Sequence, residues 1–107
     1  MSLKRLAGLS LALTTEELLY EVPTGFHAFV TVSVAAISGT PAVRLALTSG
    51  GAPAATDWLA YDHVLGVSTP LVRKGIAMAA GERLYTYASA ATVTAVAYGN
   101  EERLSGR

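Results

Sequence analysis

Between Glu17 and Val34 the chain alternates with a period of two, and no other feature restricts its fold as tightly. Leu18, Tyr20 and Val22 share one phase, with Leu19 and Glu21 in the other. After Pro23-Thr24-Gly25, the residues Phe26, Ala28, Val30, Val32 and Val34 fall together against His27, Thr31 and Ser33. Successive side chains of a strand point to opposite faces, so this pattern predicts strands with one buried face. A helix would bring its apolar residues back every three or four positions instead. The segment reads as a strand, a tight turn at Pro23–Gly25 and a longer second strand, the outline of a hairpin.

The rest of the chain repeats that pattern. Val43, Leu45 and Leu47 alternate with Arg44, Ala46 and Thr48, predicting a third strand. Ser49 to Thr56, rich in glycine and alanine, reads as an exposed loop. Asp57 either caps a helical turn or opens a brief strand through Asp62. Ser68–Gly75 reads as a turn feeding a short strand, and Ile76–Met78 as a separate apolar stretch. Leu84–Ala88 and Thr92–Tyr98 are the last two strands, and Asn100–Arg107 a polar tail. Thr14 with Glu17 is a possible capping box, but Val22-Pro23 and the β-rich flank argue against a helix there. Short strands with turn signals every eight to twelve residues predict an all-β fold, an antiparallel, jelly-roll-like β-sandwich of seven or eight strands.

Leu9, Leu11 and Leu13 alternate with Ser10 and Ala12, so 1–15 is expected to be an N-terminal arm or a first strand. Residues 16–107 are expected to form a single β-sandwich domain. Lys4-Arg5 followed by Leu6–Leu13 has the outline of a signal peptide, but the apolar run is short, broken by Gly8 and Ser10, and has no small-x-small cleavage site.

Composition narrows the function classes. The 107 residues are 51% hydrophobic and 15% charged, with zero formal net charge and no cysteine. A neutral, charge-poor domain has little self-repulsion to keep copies apart, which suits a subunit whose surface is covered by partners. Lys4, Arg5, Arg44, Arg73, Lys74, Arg83, Arg103 and Arg107 are scattered among acids, so no phosphate-binding patch is expected and no nucleic-acid partner. No apolar run approaches the ~18 residues of a membrane span, so no membrane partner is expected.

No grouping carries chemistry. His63 lies near Asp57 and Asp62, but the spacing fits no known ligand pattern, and His27 is expected to be exposed or at an interface. The serines lie in turns without a Gly-x-Ser-x-Gly, and Gly50-Gly51 precedes a proline rather than a helix. Nothing pairs any two of Asp57, Asp62, Glu82, Glu101 and Glu102 as glycosidase carboxylates. The chain is therefore expected not to be an enzyme, with no catalytic, cofactor or metal residues. What stands out is aromatic: Trp58, Tyr61, Tyr85, Tyr87 and Tyr98. Tyr85 and Tyr87, two apart, share a face that is either core or interface. Flat aromatic faces on a sandwich stack on sugars or serve protein interfaces.

The order of these segments carries a resemblance. Leu18-x-Tyr-x-Val-Pro-x-Gly25 is followed by the alternating strand, Val43-Arg-Leu-Ala-Leu47, a Ser/Gly/Ala loop and Asp57-Trp-Leu-Ala-Tyr-Asp62. The chain closes with Ala80-Gly-Glu-Arg-Leu-Tyr-Thr-Tyr-Ala88 and Val96-Ala-Tyr-Gly-Asn-Glu-Glu102. Over roughly residues 16–102 this resembles the small β-sandwich virion proteins of tailed bacteriophages, the capsid cement or decoration proteins and tail-associated subunits. The resemblance implies a non-enzymatic protein of the virion, made in the host cytoplasm, that binds over capsid subunit joints and stabilises the shell. A tail, neck or baseplate subunit and a carbohydrate-binding sandwich are the alternatives. The implied partners are further copies of the chain, a trimer first, and the major capsid protein or other virion proteins. Leu3, Leu6, Leu9, Leu11 and Leu13 of the arm, with Trp58, Tyr61, Tyr85 and Tyr87, are the candidate interface.

Overall fold

The computed structural model describes residues 4–10, 16–51, 53, 56–67, 69–90 and 92–103. They form eight strands: β1 (Lys4–Ser10), β2 (Glu17–Glu21), β3 (Phe26–Ala36), β4 (Ala42–Thr48), β5 (Trp58–Val64), β6 (Leu71–Met78), β7 (Arg83–Ala88) and β8 (Val93–Arg103). These lie in two four-stranded antiparallel sheets, ordered β1-β8-β3-β6 and β2-β7-β4-β5.

The pairings β1·β8, β2·β7, β3·β6 and β4·β5 are nested, as in one long hairpin bent at its middle and wound up. Winding adds the lateral pairs β3·β8 and β4·β7 that join the ribbon to itself. This is the jelly roll, and the all-β sandwich expected from the alternation is what the chain forms.

Winding also overturns the first hairpin. β2 and β3 belong to different sheets and do not pair. Pro23–Phe26 is still a tight turn, closed by the Phe26 N–H on the Pro23 carbonyl at 3.1 Å, with Gly25 at φ 87 supplying the left-handed third position. It is a corner between sheets, because Val22 remains tied to β7's approach through Glu82 and Gly81. Only β4 and β5 are consecutive in one sheet.

Two further boundaries move. Leu71–Met78 is one strand, because Gly75 at φ 68 absorbs an irregularity in the β3·β6 ladder. The expected polar tail begins later, since β8 continues through Asn100–Arg103 against Phe26–Phe29. Gly99, at φ 150, lets the strand pass this point.

The centre of the core follows the alternation, but β2 and β4 depart from it: a register shift between Leu18 and Tyr20 leaves Leu18 exposed and buries both Leu19 and Tyr20, and β4 buries Ala46 and Thr48 beyond Leu45. Val30, Val32 and Val34 of β3 and Val93, Ala95 and Ala97 of β8 meet Val43 and Leu45 of β4 and Leu84 and Ala88 of β7, all essentially without solvent contact. Each large apolar side chain so buried contributes about 1.5–3 kcal/mol. The alanines of β8 suit the centre of the packing, where the two sheets approach at about 10 Å. Tyr20 enters from β2, and its hydroxyl donates to Glu101 of β8, tying one sheet to the other. Burial, then the Glu101 carboxylate, push the Tyr20 phenol well above its ordinary range.

Of the arm, Lys4–Ser10 is the edge strand β1, hydrogen-bonded to β8, and Leu6 packs against the core rather than facing a partner. Leu3, Leu11 and Leu13, and the side chain of Leu9, lie outside the described residues. All four edge strands carry irregular registers against their neighbours, which blunts them as templates for pairing with other chains.

Candidate interaction face

Outward positions of the β2-β7-β4-β5 sheet gather the aromatic residues. On β7, Leu84, Thr86 and Ala88 point in, which sends Tyr85 and Tyr87 out. In register, Arg44 of β4 lies opposite Tyr87, and Ala46 opposite Tyr85. Tyr61 and Trp58 arrive from β5. Four residues singled out in the sequence, Trp58, Tyr61, Tyr85 and Tyr87, thus stand on or beside one sheet face.

Arg44 organises them. Its guanidinium carbon lies 4.1 Å from the Tyr61 ring centre and 4.4 Å from that of Tyr87, so the planar cation sits against both rings. Arg44 Nε donates to Asp62 Oδ1 at 2.7 Å. That bond, joined by the attraction of the Asp62 charge, raises the Arg44 pKa further and keeps the cation permanent. Trp58 and Tyr61 meet edge to face, 5.1 Å apart at 73°. Below this cluster Arg83 Nη1 donates to the Tyr85 hydroxyl at 3.3 Å and pairs with Glu21 at 3.4 Å. Leu18, exposed, stands opposite Tyr85 on β2.

Asp62 reaches Arg44 because its own backbone is at φ 52, a left-handed conformation that aspartate tolerates better than most residues. The β4·β5 register shifts twice around it, between Val43 and Leu45 and between Leu45 and Ala46. Such irregularities re-aim side chains, and here the effect is to bring a carboxylate beside the cation.

Arg44 and Asp62 were not among the candidate residues. The Val43-Arg44-Leu45 alternation puts Arg44 on the outward phase and could have pointed to it; the shift at Asp62 has no signature in sequence. His27 of β3 is partly buried and sits 2.9 Å from Glu102, its register partner on the adjacent strand β8, so this pair lies within the β1-β8-β3-β6 sheet. His63 is exposed on β5. Among the described residues no three of His, Cys, Asp and Glu converge as metal ligands, and no helix is long and apolar enough to cross a membrane.

No family model, no curated protein and no solved structure matches the chain.

Proposed function

We propose that this chain is a non-enzymatic structural subunit of a tailed-bacteriophage virion, made in the host cytoplasm, and most specifically a cement protein that binds over capsid subunit joints as a small cyclic oligomer. The observation that carries the reading is the Arg44-centred aromatic face. Tryptophan, tyrosine and arginine are the residues that dominate binding energy at protein interfaces. Here they stand together on or beside one sheet face, with Arg44 and Asp62 held by each other in the free chain. A rigid face of this kind loses little conformational entropy on docking. Jelly rolls recur in capsid and lectin domains, and the resemblance in segment order favours the former.

The same geometry weighs against sugar stacking. Arg44 already covers one side of the Tyr61 and Tyr87 rings, and Trp58 stands at 73° to Tyr61 rather than coplanar with it. A saccharide would find no continuous platform, whereas a protein surface fits stepped aromatic edges.

Cryo-electron microscopy of the particle tests the proposal by location. Density for the sandwich repeated over capsid joints is the expected result. Density confined to tail, neck or baseplate would replace the cement role with the tail-subunit alternative. A purified particle without the protein would defeat both, and a glycan array with saturable binding abolished in Trp58→Ala would support the carbohydrate module instead.

A further inference from the structure

The geometry points to the open β5/β6 side of the sandwich as the surface through which two copies of this chain associate about a two-fold axis. The inference rests on the reading of the chain as an oligomeric subunit and names the surface that reading left open.

The two sides of the sandwich differ. On one, the edge strands β1 and β2 lie against each other and close the core. On the other, β5 and β6 do not close in this way, and among the described residues the bond that spans them runs from Arg73 Nη2 to the Leu59 carbonyl at 2.8 Å. Arg73 divides the opening into two cavities of about 560 and 550 Å³ and lines both. Leu47, Leu59, Leu71 and Ile76 pack against the core and reach these cavities half-covered. Beside them Val64 is 63% exposed and Val72 41%. An apolar opening into a core forfeits burial that a partner would restore.

Charge selects the occupant and its orientation. β6 presents Arg73 and Lys74, while β5 presents Asp62. A carboxylate has acceptor capacity beyond one Arg44 contact. A two-fold axis parallel to the strands sets β5 of each copy against β6 of the other, so opposite charges face and the apolar residues meet. A two-fold axis along the sheet normal would set β6 against its own image, with Arg73 and Lys74 in like-charge contact. The Gly75 irregularity also interrupts the ladder that such a continued sheet needs. An isologous pair closes on itself and leaves no open end.

Sedimentation velocity of the full chain at tens of micromolar is the test, and it reads self-association without any particle present. The wild type is expected to be a dimer. Val64→Glu and Val72→Glu, both at solvent-facing positions, are each expected to weaken it at least tenfold. Phe29→Glu and Ile37→Glu, at positions 52% and 67% exposed on other surfaces, are expected to leave it dimeric. Because no native cysteine interferes, Val72→Cys reports the orientation directly. Little disulfide dimer is expected from it, and ready cross-linking of Val72→Cys to itself would overturn the strand-parallel axis. A monomeric or trimeric wild type, or dissociation by the Phe29 or Ile37 variants in place of the seam variants, would overturn the proposal. Particle binding by a monomeric Val64→Glu chain would leave the virion role standing while separating it from this interface.

Discussion

Replacing Gly99 by alanine adds one carbon at the centre of the molecule, and the cost can be worked out from its surroundings. Gly99 pairs with Val30 on one side and Lys4 on the other, inside the sheet that β8 and β3 build. A Cβ there would lie 2.2 Å from the Phe29 carbonyl oxygen and 3.2 Å from both the Phe29 carbonyl carbon and Val30 Cα. All three atoms are backbone, so no flexible side chain can yield. The φ of 150 adds conformational strain for any residue with a side chain. Backbone strain of this sort costs about 1–3 kcal/mol. Forcing a packed backbone apart costs about 1–3 kcal/mol more. Gly39→Ala provides the control, since Gly39 has φ 74 with nothing within 4 Å of its missing Cβ, and so carries the strain without the clash. Urea unfolding followed by circular dichroism should put Gly99→Ala about 2 kcal/mol or more below Gly39→Ala. Equal losses in the two variants would refute the steric argument and, with it, the close β3·β8 approach.

Leu45→Ala empties a position sealed between the sheets and is expected to cost about 2–5 kcal/mol in the same assay. Arg44→Ala is expected to weaken binding to the particle at least tenfold while leaving the unfolding midpoint nearly unchanged, because its contacts lie on the outer face; a coincident loss of stability and binding would assign it a structural role instead. Tyr20 gives a pH dependence. Its phenol is harder to ionise in the folded chain than in the unfolded one, so the unfolded state loses its proton first. The contribution is complete below about pH 10 and is lost as pH rises beyond it. Wild-type stability should therefore fall more steeply above pH 10 than that of Tyr20→Phe, and parallel alkaline limbs would contradict this.

Alternation made the strands legible, because a buried face leaves its mark every second residue. Val30, Val32 and Val34 could be assigned to the core from sequence, and so could the shared face of Tyr85 and Tyr87. Partnership was not legible. The Pro23–Gly25 turn looks the same whether the next strand returns beside the last or crosses to the other sheet, and tertiary packing made it cross. Gly99 and the polar Asn100-Glu-Glu resemble a strand's end after Tyr98, yet pairing with β3 carries β8 on through Arg103. The alternating leucines of the N-terminal segment suit an arm and a first strand equally. An edge strand and a free apolar segment share one pattern, and only the β1·β8 ladder distinguishes them. The place of Arg44 is not legible in sequence, because it depends on Tyr61 and Asp62 arriving from a strand whose register shifts beside it.

The virion role turns on whether this face recognises a capsid. Co-sedimentation of the purified chain with capsids that lack it measures that directly. The account predicts saturable binding at a fixed ratio to the capsid protein, lost in Arg44→Ala and Trp58→Ala chains that remain folded. No binding by the wild-type chain, or binding that both variants retain in full, would contradict it.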